Sequence, residues 1–502
     1  MLKSGVAHRA LVLPDILYPT FSFVLLGSKA STIQGNPAYR LAQVSRSFFQ
    51  VAIKFVWEET DVETMFSLIP LVRECLWDKP RSKYELKADL ENFDPATWTE
   101  TQMSRLHFYG KFVKKLAFFT YGGPHSPNAD QLIYVLESQL GRLIMRYLEL
   151  HPILLGLEVL NIDLSEDELS LDWKMALVSQ NSSISKLNIV GMTSRSSKRE
   201  DERALICSVI NRFPSLQSFE LHSIHCEPIS TNGELTFPQL PISHSLLDLQ
   251  VTGVRVNYDA LDWASTLPSL QRLVIPRAHG WLANEGAQPS RLYLFDNLTV
   301  LHIGCDYRVI SLLESCRFPN LIEFSLKDCE QLLRRFNHPK LIPFASFISQ
   351  HSSKIKILDI QAHLCRDNNG LAQFLGKFQT LELSTLRLTM RLERRKIKFL
   401  DLNEIIVGYW PRLAHLTWGL RRLSLQEVAQ IIACYPHLTS FTFGTMCGPW
   451  TKPVGVTPLA STAPLSLNCY FVDRELMNAE EVSGWLKDIR PGVQYEIYTK
   501  EY

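Results

Sequence analysis

The chain has 502 residues, 46% of them hydrophobic and 21% charged, too long for one compact core and suited to a few domains or one repeat array. A formal net charge of +1 excludes a whole-chain electrostatic footprint for nucleic acid. Ten scattered cysteines without a Cys-x-x-Cys pair exclude a disulfide framework or a paired-cysteine zinc module and point to a reducing compartment, cytoplasmic or nuclear.

Lys3, His8 and Arg9 precede an apolar run from Ala10 to Gly27, the layout of a signal or anchor segment. Asp15 inside that run would cost roughly 2.5 to 3.5 kcal/mol at a bilayer centre. No other run reaches the ~18 apolar residues that a span requires, so neither export nor a membrane partner is expected. Leu13-Pro14-Asp15 predicts a helix start instead, because proline suits the first helical position and an early acid complements the helix dipole. Asn36-Pro37 predicts a second helix that sets Leu41, Val44 and Phe48 on one face. A third short helix is expected to carry Ala52, Val56 and Trp57. Three helices in roughly 45 residues bury too little surface to stand alone, so a partner's surface is expected.

The run Leu13-Pro14, Ile16-Leu17, Phe21-Ser22-Phe23, Val44-Ser45-Arg46-Ser47-Phe48 and Val56-Trp57 resembles an F-box, in the version found in large fungal families. The resemblance implies docking onto a Skp-type adaptor and, through it, onto the cullin and RING subunits of an SCF-type ubiquitin ligase. It sets Leu13, Pro14, Ile16, Leu17, Phe21, Val44 and Trp57 against the adaptor. Pro19 and the polar insert from Gly27 to Tyr39 depart from the family pattern. They leave open a second reading, an interaction scaffold whose F-box is degenerate and reaches no ligase.

After Trp57 a helix broken near Pro70 and a charged connector from Lys79 to Thr101 are expected. A Leu-x-x-Leu-x-Leu cadence then opens near Val113 and Leu116. Copies follow at Leu157-x-x-Leu160-x-Ile162, Ile184-x-x-Leu187-x-Ile189, Leu216-x-x-Phe219-x-Leu221, Leu246-x-x-Leu249-x-Val251 and Leu270-x-x-Leu273-x-Ile275. More stand at Leu298-x-x-Leu301-x-Ile303, Leu321-x-x-Phe324-x-Leu326, Ile355-x-x-Leu358-x-Ile360, Leu383-x-x-Leu386-x-Leu388, Leu413-x-x-Leu416-x-Trp418 and Leu438-x-x-Phe441-x-Phe443. The spacing between most copies, roughly 23 to 34 residues, brackets the leucine-rich-repeat period. Pro214, Pro268, Pro319, Pro411 and Pro436 each stand two residues before an opening leucine, where proline ends one element and starts an extended segment.

These copies resemble leucine-rich repeats in an irregular form, since only Cys329 falls on the asparagine-or-cysteine position that closes a regular repeat. The predicted fold is α/β: a small all-helical F-box-like module, then an irregular leucine-rich-repeat solenoid with a parallel sheet on its concave face. The expected boundaries are a tail at 1–10, the module at 11–60, a connector at 61–105, the solenoid at 106–475 and a cap at 476–502. Helices are predicted at Glu202–Arg212, Ala372–Phe378 and Leu425–Cys434, and loops at Glu227–His244, Pro276–Pro289 and Thr445–Pro464.

Side chains alternate along a strand, so residues between the leucines face the open side. That predicts a client-binding set of Asn161, Asp163, Asn188, Glu220, His222, Gln250, Arg272, His302, Lys327, Asp359, Arg387 and His415. His222, His225 and Cys226 lack a second metal-ligating cluster and read as solvated loop residues. The acids Glu166, Asp167 and Glu168 lack the glycine and alternating spacing of a calcium loop and read as a helix start. The basic run Arg391 to Lys398 reads as a solvated helix face, with a phosphorylated partner as the alternative. No phosphate-cradling loop, nucleophile elbow or His-Glu-x-x-His pattern is present. Neither an enzyme nor a cofactor or metal is expected.

Overall fold

A computed structural model describes residues 17, 37–75, 83–95, 98–117, 129–163, 183–190, 212–222, 244–252, 258–275, 292–304, 313–327, 341–362, 368–390, 409–447, 450–459, 463–472 and 479–497. The chain divides into two compact units, Met1–His225 and Cys226–Tyr502.

The first unit begins, among the described elements, with helices α1 (Pro37–Ala42) and α2 (Arg46–Trp57). The sequence placed Leu41, Val44 and Phe48 on a single helix; the structure divides them. Gln43 and Val44 close a turn onto the carbonyls of Arg40 and Leu41, and the Ser45 hydroxyl then accepts the Phe48 N–H as the cap of α2. A good N-cap next to a turn restarts the helix there. Phe48 therefore shares α2 with Ala52, Val56 and Trp57.

Strands β1 (Glu59–Asp61), β2 (Lys115–Ala117), β3 (Val159–Asp163), β4 (Lys186–Val190) and β5 (Ser218–His222) follow, interleaved with helices α3 (Ser104–Gly110), α4 (Ala129–Glu137) and α5 (Gln139–Leu150). Each strand pairs in parallel with the next, and Thr60, Leu116, Leu160, Leu187 and Phe219 form one inward column. Strand β1 was not legible as a copy, because a threonine holds the leucine position. Its register shows a copy all the same, Trp57-x-x-Thr60-x-Val62, with all three residues buried.

The second unit carries β6 (Asp248–Thr252), helix α6 (Tyr258–Ser265), β7 (Arg272–Ile275), β8 (Tyr293–Leu294), β9 (Val300–Gly304), β10 (Cys316–Arg317) and β11 (Glu323–Lys327). Helix α7 (Leu341–His351), β12 (Ile357–Ala362), α8 (Asn368–Gly376), β13 (Thr385–Met390) and β14 (His415–Ser424) come next. The unit ends with α9 (Leu425–Cys434), β15 (Ser440–Cys447), β16 (Leu465–Val472), α10 (Ala479–Ile489) and β17 (Val493–Ile497). All pair in parallel in chain order except β8 and β10, which form a separate pair. This is the α/β repeat ladder expected from the cadence.

Two backbone devices hold the copies together. Each proline sits second in a turn whose first carbonyl accepts the opening leucine's N–H, as in Phe213 to Leu216, Phe318 to Leu321 and Trp410 to Leu413, the position where its fixed φ suits a type I turn. Beyond the strands, in most copies one carbonyl accepts two N–H groups from the next copy at 2.7–3.1 Å. Glu158 takes those of Ser185 and Lys186, and Gln271 takes those of Thr299 and Val300. Backbone pairing thus bridges these copies without the asparagine or cysteine ladder of a regular repeat.

Helix α9 matches its expected bounds and starts on a capping box between Ser424 and Glu427. Helix α8 starts earlier than the predicted Ala372. The expected helix at Glu202–Arg212, apart from Arg212, and the loops at Glu227–His244, apart from His244, and Pro276–Pro289 lie outside the described residues. The C-terminal helix and strand, expected as a cap, continue the ladder. Strand β17 pairs with β16 in parallel, and Val493 closes onto the Arg490 carbonyl in the same turn as the other copies. Among the described residues no helix is long and apolar enough to cross a membrane.

Candidate recognition face

The residues between the leucines form rows across each sheet, on the face opposite the buried columns. In the first unit Asn161, Asn188 and Glu220 are register neighbours. The Asn188 side-chain amide donates to Asn161 Oδ1 at 2.6 Å, and Lys186 Nζ donates to Glu220 Oε1 at 2.7 Å. His222 Nε2 stands 3.7 Å from the other Glu220 oxygen. His222 beside it, then Lys186, outweigh burial and pull the Glu220 carboxyl down to about 2. The strand geometry of Asp163 is described and its side chain is not.

In the second unit the central row runs Gln250, Val274, His302, Ser325, Asp359, Arg387 and Thr417. Arg272 reaches both oxygens of Asp248 at 2.9 Å. His302 Nε2 lies 2.8 Å from Glu323 Oε1. Burial holds the His302 imidazole below its ordinary pKa, against the opposing pull of Glu323. Burial likewise pushes the Asp359 carboxyl up, partly offset by Lys327 and Arg387 and by the Gln361 amide, which donates to Oδ2 at 3.3 Å.

Asp359 takes its predicted place in the face row, but as a recessed member: it is 6% exposed and the adjacent Ser325 is fully buried. Both are short side chains, while His302 and Arg387 in the same row, and Lys327 and Gln361 beside it, are longer and more exposed. Gln250, Arg272, His302 and Lys327 are half-buried, while Arg387 and His415 are exposed. Sequence reasoning missed Lys186, Asp248 and Glu323, which ion-pair with or neutralise predicted residues. Opposite charge at the same offset in neighbouring copies, Asp248 against Arg272, was the available signal.

The expected adaptor contacts fare unevenly. Leu17 is 2% exposed and packs with Val51 and Ala52, flanked by Leu41 and Phe48. Trp57 is 7% exposed, packs with Ala38, Ile53 and Val56, and stacks on Tyr109 with ring centroids 4.9 Å apart. As placed, neither presents a surface to another protein, because α2 uses both to seal its own packing. Val44 is 65% exposed at the turn between α1 and α2. Leu13, Pro14, Ile16 and Phe21 lie outside the described residues, as do Pro19, His225, Cys226, Glu166 to Glu168 and Arg391 to Lys398. Among the described residues no group of three or more His, Cys, Asp or Glu side chains could hold a metal ion.

No family model matches the chain. No curated protein matches it either. Among solved structures, a chain of the yeast Rad7 and Elc1 complex is similar at 12% identity and a TM-score of 0.34, covering 93% of this chain and 98% of that one. An internalin (inlF) from Listeria monocytogenes is similar at 12% identity and a TM-score of 0.33, covering 87% and 98%. The TLR13–ssRNA13 complex contains a chain similar at 12% identity and a TM-score of 0.31, covering 69% and 56%.

Proposed function

We propose that this chain is the client-recognition subunit of an SCF-type cullin-RING ubiquitin ligase. Its leading helices dock a Skp-type adaptor, and the open face of its repeat ladder holds the protein to be modified. The observation that carries the reading is the turn between α1 and α2. The F-box-like run continues there into two packed helices whose apolar Val44 points outward, 65% exposed, in the position the resemblance assigns to the adaptor. The polar row of each unit offers a surface for the client.

In this role the chain performs no chemistry of its own. It raises the effective concentration of a client lysine beside activated ubiquitin carried by its partners. No cofactor is needed, and the site of action is the cytoplasm or nucleus, where such partners reside.

Co-expression of the full chain with a Skp-type adaptor tests this. The intact chain should co-purify with the adaptor, and Val44→Glu and the double substitution Leu13→Ala with Pro14→Ala should each weaken the complex. Failure of the intact chain to bind, or equal binding by both variants, contradicts it. The burial of Leu17 and Trp57 favours a second reading, a ligase-free scaffold with a degenerate F-box. That reading predicts partner binding through the sheet face with no adaptor in the complex.

A further inference from the structure

Resting on the reading of the sheet face as the client surface, we propose that its β11–β13 stretch reads a side-chain amide, an asparagine or glutamine of the bound protein, through Asp359 and Arg387. Ser325, Asp359 and Arg387 are consecutive register neighbours on β11, β12 and β13, so each stands roughly 4.8 Å from the next. Asp359 Oδ1 and Ser325 Oγ are buried and make no hydrogen bond among the described residues. The carboxylates of β6 and β11 are engaged, Asp248 by Arg272 and Glu323 by His302. Arg387, exposed on the next strand, offers the matching donors.

Charge selects the occupant. An ammonium or guanidinium brought to Asp359 also meets Lys327 and Arg387, the two cations already acting on that carboxyl. A carboxylate brought to Arg387 meets Asp359. A neutral primary amide meets neither repulsion: its NH2 donates to Asp359 Oδ1 while its carbonyl accepts from Arg387. The other oxygen of Asp359 already takes an amide donor, from Gln361. Rotation of the exposed Arg387 and half-buried Gln361 side chains, a fast motion for surface residues, opens the approach. Discrimination follows because a ligand without the amide leaves buried polar groups unpaired.

The test selects a random-sequence displayed peptide library on the full chain and on its Arg387→Glu variant, whose folding is checked by thermal melting. Peptides selected by the parent should carry asparagine or glutamine at one shared position. Alanine there should weaken binding roughly tenfold or more, the effect of losing hydrogen bonds to charged groups. With Arg387→Glu the donor becomes a second acid, so those peptides should be lost and lysine or arginine should replace the amide in a fresh selection. Peptides that depend on Arg387 but carry an acid or a base at the shared position overturn the amide proposal and leave the client face standing. Peptides indifferent to Arg387→Glu, or no selected peptides at all, overturn both.

Discussion

Glu220 and Asp359 hold the same place in their copies, between two inward residues of a parallel strand, yet their surroundings push them in opposite directions. The Glu220 carboxyl, drawn down to about 2 by His222 and Lys186, adds stability that is present above its ordinary pKa, near 4.5, and is lost as pH falls from there toward 2. Glu220→Gln should therefore cost roughly 1 to 2 kcal/mol at pH 7 after allowance for solvent screening. The difference from the parent should shrink in denaturant melts below pH 4.5. Asp359, raised by burial, has the opposite sign: its contribution is intact below the ordinary carboxyl pKa and is lost as pH climbs past it. Asp359→Asn should be at least as stable as the parent at pH 7, with the advantage fading in acid; a large loss at neutral pH would contradict the burial argument. Both residues were legible as face positions from alternation alone. Their environments were not, because Asp359's burial depends on the heights of neighbours from three other strands, which no local pattern encodes.

The strands of the repeat ladder follow from pattern. In every Leu-x-x-Leu-x-Leu copy from Leu157 onward the last four positions lie on a strand, and each proline-led turn delivers the opening leucine to it. Leu301→Ala, which empties a fully buried column position, should cost ~2–5 kcal/mol in equilibrium unfolding. What escaped the pattern did so for physical reasons. Strand β1 carries a threonine in the leucine column, and the β16 copy carries Pro464 where the opening leucine would stand. The α1–α2 boundary turned on the Ser45 cap rather than on apolar spacing. One glycine is decisive at this scale. A Cβ at Gly141 in the first turn of α5 would fall 1.9 Å from the Leu136 carbonyl oxygen at the end of α4. Gly141→Ala should then destabilise the chain by ~1–3 kcal/mol, whereas Gly376→Ala, with open space around the new atom, should not destabilise it by overpacking.

Across the whole molecule the proposed role needs two surfaces with different chemistry: the exposed Val44 at the α1–α2 turn, and the polar rows on the sheet of each unit. The most direct measurement is hydrogen–deuterium exchange of the full chain with and without a Skp-type adaptor. Exchange at residues 37–57 should slow on addition of the adaptor, with the strands β6–β13 unchanged. Slower exchange confined to those strands, or no change anywhere at saturating adaptor, would contradict it.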